Sequence, residues 1–284
     1  MIRKIKTFII RTIVKLFKLP LPLFVKLPIY IRSDIVDYLL GKNIGYLDYP
    51  GAKIKIHIDS VIVLNRLSSC QKEPGTIKWI EEYFKADEVF YDIGANIGAY
   101  SFVAYEKTDR TMKIYAFEPS FSTFNQLCKN IDINGYNQAI LPINIPLTAA
   151  TKAVEFEYNS IVSGDAGHKG LLENAAKDAP VRSGKTFIQP MIAFSLDDLV
   201  VKMKLKPPQH IKLDVDGPEY DILLGAKNTL KNGSLKTIQV EVNPADPVTK
   251  DICDLINNAG FSLIKTNKHT LSEMADYIFI RKIK

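Results

Sequence analysis

The sequence predicts an α/β domain built on a mostly parallel sheet wound by helices. Three observations lead there. From residue 88 onward, apolar strand-like runs alternate with helical patterns, the mark of βαβ units. The first of those runs, EVFYDI, stops at an acid and then at two glycines, Gly94 and Gly98, just where a helix begins. A later run, HIKLDV, delivers Asp214, Asp216 and Glu219 to its carboxyl end, the edge at which open α/β sheets bind ligands.

A chain of 284 residues accommodates one large α/β domain with an appendage. Its net charge of +6 is unevenly placed. Arg3, Lys4, Lys6, Arg11, Lys15, Lys18, Lys26 and Arg32 fall within the first 32 residues with no acid among them, which leaves 29 basic against 31 acidic residues elsewhere. A phosphate-tracking surface needs a basic folded domain, so nucleic-acid binding is not expected. Cys70, Cys128 and Cys253 lie far apart without a C-x-x-C pair, which argues against a disulfide framework or structural zinc and for a reducing, cytoplasmic compartment. His57, His168, His210 and His269 are equally scattered, and no metal cluster is expected from them.

Taken in order, the opening MIRKIKTFIIRTIVKLFK sets Ile2, Ile5, Ile9, Ile13 and Leu16 at helical spacing, opposite Lys4, Arg11, Lys15 and Lys18. Arg11 and Lys15 interrupt this basic amphipathic helix too early for it to span a bilayer or serve as a signal core. Two roles are open to it: peripheral contact with the inner face of an anionic membrane, or packing on the body of the protein or in a dimer. LPLPLFVKLP is a proline-punctuated linker, so the appendage is assigned to residues 1–40 and the domain to 41–284. Residues 44–65 read as short strands of a small β-hairpin, with Ile54, Ile56 and Ile58 alternating against Lys53, Lys55 and His57. A helix is expected over EPGTIKWIEEYF. There follow a strand at 88–93, a helix from 97, a strand at 113–118, a helix at 120–134 and a strand at 139–145. Residues 159–190, with SGDAGHKG and SGK, are too polar and glycine-rich for core and read as a long functional loop. Strand HIKLDV, a helix at 218–231, strand TIQVEV, a helix at 248–259 and strands at 261–265 and 276–281 complete the pattern.

The glycine turn carries chemistry. Gly94 lets the chain turn sharply and bring backbone N–H groups near a ligand, and Gly98 lets the next helix pack closely on the strand. Asp92, just before the turn, repels a pyrophosphate and attracts an amino group or a sulfonium. Glu118 ends the following strand in KIYAFEPS, placed to accept hydrogen bonds from ribose hydroxyls. A nucleoside with a cationic extension fits this pattern, and S-adenosylmethionine is such a molecule. A nicotinamide-dependent dehydrogenase wants G-x-G-x-x-G, whereas Asn96 stands here at the second glycine. In the second cluster Asp214 lies inside an apolar strand, where a functional role is favoured, and close acids raise one another's proton affinity. Glu219 has two readings, a ligand contact or a charge complementing the helix N-terminus.

These blocks resemble the FkbM family of S-adenosylmethionine-dependent methyltransferases. The resemblance spans residues 70–245 in order: EPGTIKWI, VFYDIGANIGAYS, YAFEPS, FSLDDLV, IKLDVDGPEYDILLGA and IQVEVN. It implies a class I Rossmann-like fold, a mostly parallel seven-stranded sheet with helices on both faces and an antiparallel final strand. It also implies methyl transfer to oxygen, often on sugars, glycans or secondary metabolites. By the same resemblance Asp92, Gly94, Asn96 and Gly98 line the methionine part of the cofactor, Glu118 holds the ribose, and Glu73 approaches from the other side. Asp214 and Asp216 face the methyl group. The family's usual E-G-A-E is here Asp216-Gly217-Pro218-Glu219, an acid shortened by one methylene.

The expected reaction is in-line attack by a substrate hydroxyl, with Asp214 or Asp216 accepting its proton. The acceptor pocket is expected to take Glu219 and, from the glycine-rich loop, Tyr158, His168 and Lys185. Two competitors stand beside this: Mg²⁺ held by Asp214, Asp216 and Glu241, and a non-catalytic nucleoside-binding accessory protein.

Overall fold

The computed structural model describes residues 43–166, 170–171, 187–269 and 272–282. The expected amphipathic helix, His168 and Lys185 lie outside the described residues. From Gly45 onward the chain forms a single unit.

Strands β1 (Ile44–Tyr46) and β2 (Lys55–His57) pair as a two-stranded sheet. Ile54 and Ile56 are buried while Lys55 between them is exposed, as the alternation predicts. The strand pattern stops earlier than expected. Val61–Arg66 forms helix α1 despite its β-branched residues, because Ser60 accepts a hydrogen bond from the Val63 N–H at 3.0 Å and nucleates the turn. Helix α2 (Ser69–Lys72) follows, then α3 (Pro74–Tyr83), with Pro74 in the first helical turn. Helix α3 buries Trp79, whose Nε1 donates to Thr237 Oγ1 at 3.0 Å and whose ring meets Phe84 edge-on, with centroids 4.8 Å apart.

The βαβ core runs β3 (Val89–Ile93), α4 (Ala99–Lys107), β4 (Lys113–Phe117), α5 (Phe121–Asn134) and β5 (Ile140–Ile143). After an excursion come α6 (Leu196–Met203), β9 (His210–Leu213), α7 (Glu219–Leu224), α8 (Lys227–Lys231) and β10 (Thr237–Val242). Helix α9 (Val248–Asn258) leads to β11 (Phe261–Lys268) and β12 (Ala275–Arg281). These build one seven-stranded sheet, β11-β12-β10-β9-β3-β4-β5. It is parallel except at β12, which pairs antiparallel with β10 on one side and β11 on the other. One expected helix over 218–231 is two, because Asp197 caps α8 separately: its carboxylate accepts the Asn228 and Thr229 N–H groups at 2.7 and 2.8 Å.

Strand β3 is buried along its whole length at the centre of the sheet. Its period of two sends Phe90 to one apolar cluster, with Trp79, Phe102 and Leu127, and Tyr91 and Ile93 to the other, with Leu199, Ile222 and Ile256. Helices thus cover both faces. Asp92 points with Phe90, which puts an acid into an apolar layer and calls for a reason.

The long loop expected over 159–190 is entered from a strand, carries a second and ends in a third. Strands β6 (Lys152–Tyr158), β7 (Gly170–Leu171) and β8 (Phe187–Ala193) form an antiparallel sheet in the order β7-β6-β8. Tyr158, expected at the acceptor, is fully buried here instead. Its hydroxyl donates to Gln189 Oε1 at 2.7 Å and its ring packs on Phe156 at 4.8 Å.

Candidate active site

The turn after β3 is set by close contacts. Gly94 and Ala95 both donate their N–H to the Phe117 carbonyl, at 3.0 and 2.9 Å. Gly94 has φ +86, and a Cβ there would lie 1.7 Å from the Asp214 carbonyl oxygen. Gly98 has φ +95, and its Cβ would meet the Phe102 ring at 2.5 Å, so α4 packs where the sequence expected. Asn96, also left-handed at φ +49, turns its side-chain oxygen to the Ile97 N–H at 2.9 Å. Its amide donates to the Asp165 carbonyl at 3.3 Å, tying the turn to the segment after β6.

Glu118 is buried beside this turn. Its two oxygens accept the Asn96 N–H at 3.0 Å and the Ser120 N–H at 2.9 Å. Burial raises its pKa to about 7 against the pull of those N–H groups. Each oxygen keeps a lone pair for a further donor. Asp92 is fully buried, with Oδ2 accepting from Ser101 Oγ at 2.6 Å, whereas Oδ1 has no partner among the described residues. Burial raises its pKa too, opposed by the charge of Lys212.

Two lobes of one crevice open at the carboxyl edge of β3, β4 and β9, and Gly94, Asn96, Ala166, Asp214 and Asp216 line both. The first, of about 690 Å³, is an apolar slot between Phe117, Ile145, Leu147 and Phe156 with Glu118 at its side. The second, of about 730 Å³, is lined by Glu73, Tyr100, Glu241 and Arg66.

The second lobe has an ionic floor. Lys212 is 1% exposed, hydrogen-bonds Asp214 Oδ2 at 2.5 Å, and sits 4.9 Å from the Tyr100 ring centroid. Burial disfavours its charge, but Asp214, Glu73 and Asp92 raise its pKa overall. Burial pushes Asp214 upward and Lys212 more than reverses this, holding it ionised. Burial and the Asp214 charge push Glu241 up to about 9, and burial raises Glu73 as well. Glu241 also lies 3.5 Å from His269, which is 3.2 Å from Asp276. Oxygens of Asp214, Asp216 and Glu241 come within 4.8 Å of one another, as a magnesium site requires, yet a buried ammonium already neutralises Asp214 there.

The structure therefore gathers Glu73, Gly94, Asn96, Glu118, Asp214 and Asp216 at one crevice, with Asp92 and Gly98 buried behind it. Asp216 is exposed and left-handed, at φ +59. Glu219 is placed otherwise than a substrate contact. It is buried, and its carboxylate accepts the Val215 N–H at 3.2 Å and the Gly217 N–H at 3.0 Å, so from the first turn of α7 it braces the loop that precedes the helix. Sequence reasoning missed Lys212, Tyr100 and Arg66. For Lys212 the signal was present: a lysine two residues before Asp214, on the same face of a buried strand.

The strand order with its antiparallel β12, and a crevice at the strand ends, define a Rossmann-like methyltransferase of class I. The family model for the methyltransferase FkbM domain matches residues 92–263, and the chain belongs to that family. The protein is accordingly a methyltransferase, and the dehydrogenase and non-catalytic alternatives fall away. The hexuronic acid methyltransferase AglP of Haloferax volcanii is 25% identical over 235 residues, spanning 83% of this chain and 87% of that protein. Among solved structures, methyltransferase FkbM from Methylobacillus flagellatus is 14% identical, with a TM-score of 0.49, covering 77% of this chain and 52% of that one. TYW2 of M. jannaschii, solved with AdoMet, is 14% identical with a TM-score of 0.44, covering 84% and 87%.

Proposed function

We propose that the protein transfers the methyl group of S-adenosylmethionine to a hydroxyl of a sugar or glycan. One observation carries the cofactor assignment: a buried acid with an orphaned oxygen, Asp92, and a buried acid with lone pairs to spare, Glu118, flank a glycine turn that tolerates no Cβ. These residues fit the group. The apolar slot between Phe117 and Phe156 suits the adenine, Glu118 the ribose hydroxyls and Glu73 the methionine ammonium, with Asp92 buried behind the glycine turn. When bound, the cofactor supplies a methyl group on a cationic sulfur.

The chain's own part is orientation and proton transfer. Asp214, held ionised by Lys212, is a weak base and a fixed hydrogen-bond acceptor that aims the acceptor hydroxyl. Asp216, at the exposed mouth of the same crevice, accepts the hydroxyl proton. Holding both reactants in attack geometry supplies up to about 7 to 11 kcal/mol in favourable cases. The relative's printed substrate, a hexuronic acid, supports a sugar acceptor. Eight basic residues in the first 32 support contact with an anionic membrane surface, where lipid-linked sugars are displayed. Calorimetric titration with S-adenosylmethionine and with nicotinamide dinucleotide, followed by labelled methyl transfer to hexuronic acid glycosides, tests the reading. Binding of the dinucleotide alone would refute it.

A further inference from the structure

The crevice is predominantly acidic. Glu73, Asp214, Asp216 and Glu241 line one lobe, and Glu118 and Asp165 the other. Among the described residues lining it, two carry positive charge, Lys212 and Arg66. Lys212 is buried and committed to Asp214. Arg66 is different in kind. It closes the last turn of α1, half-buried, and its Nε donates to the Gly164 carbonyl at 3.2 Å. That bond fixes the guanidinium plane and, among the described residues, leaves both terminal amino groups without an acceptor. It lines the second lobe beside Glu73, Asp214 and Glu241.

We propose that Arg66 is a carboxylate-binding residue of this crevice, receiving the carboxylate of a bound ligand on its two free amino groups. The proposal rests on the methyl-transfer reading above and deepens it. A guanidinium offers paired N–H donors that match the two oxygens of a carboxylate, and such charge-assisted pairs are about twice as strong as neutral ones. Lys212 is already paired with Asp214, so among the described lining residues Arg66 is the cation left for a carboxylate-bearing ligand. Two sources share this chemistry: the α-carboxylate of the methyl donor, and the carboxylate of a uronic acid acceptor.

The test uses the full chain as wild type, Arg66→Gln and Arg66→Lys, with thermal melts to confirm folding. One arm titrates S-adenosylmethionine against its decarboxylated analogue. The other measures binding of D-glucuronate against D-glucose without nucleoside. Arg66→Gln is expected to weaken one carboxylate ligand by about tenfold or more while sparing its carboxylate-free counterpart, and Arg66→Lys to retain part of the difference. The affected arm identifies the source. No loss in either arm, or equal losses for both members of each pair, overturns the proposal. Wild type that binds neither nucleoside sinks the methyl-transfer reading instead, and the glucuronate arm then decides Arg66 by itself.

Discussion

Lys212, buried in β9, and Asp214, one residue past the end of that strand, form an ion pair of 2.5 Å at the floor of the crevice. Removing one partner of such a pair strands the other charge. Lys212→Met is expected to cost about 3 to 5 kcal/mol in urea denaturation, and Lys212→Met with Asp214→Asn together clearly less than the sum of the two. The sign with pH follows. In wild type the depressed Asp214 contributes stability above its unfolded pKa of about 3.9 and loses it only as pH falls through the folded value. Without Lys212, burial raises Asp214, so the variant loses stability as pH rises above about 4.

Gly94→Ala meets backbone, which cannot step aside. A Cβ at 1.7 Å from the Asp214 carbonyl at φ +86 forces the turn away from β9. The variant is expected to lose at least about 1 to 3 kcal/mol and to bind S-adenosylmethionine too weakly for calorimetry.

Glu118 has a folded pKa of about 7 against about 4.3 unfolded. A raised carboxyl favours unfolding as pH climbs between those values. Melts of Glu118→Gln and wild type from pH 4 to pH 8 are therefore expected to shift in favour of the variant with rising pH, while its affinity for the nucleoside falls.

Asp92→Ala and Asp216→Asn separate binding from turnover. The first removes the buried acid at the turn and is expected to abolish cofactor binding. The second is expected to keep cofactor affinity and lower the rate of methyl transfer by about a hundredfold or more. Turnover unchanged in Asp216→Asn would show that another group takes the proton.

The sheet and the glycine turn were readable where local pattern and tertiary demand agree. VFYDI, KIYAF and TIQVEV are apolar on both faces because both faces are covered, and a glycine at φ +86 announces its own turn. The β6–β8 pairing was not readable, since Tyr158 meets Phe187 across a long polar stretch that reads as loop. Helix α1 hid because VIVL is strand-like until Ser60 caps it. Glu219 carried the same letter for either role, and only the N–H groups of Val215 and Gly217 decide which it plays.

Strand β12 lies between β10 and β11, although it follows both in the chain. During synthesis, β11 therefore emerges with no docking place on the growing sheet. It can join only as a hairpin with residues 275–281, through the register that pairs Phe261 with Arg281 and Lys268 with Ala275. Closure of the fold thus waits on the ribosome delivering this segment, and until then β10 presents a bare edge to whatever chaperone or neighbouring nascent chain is at hand.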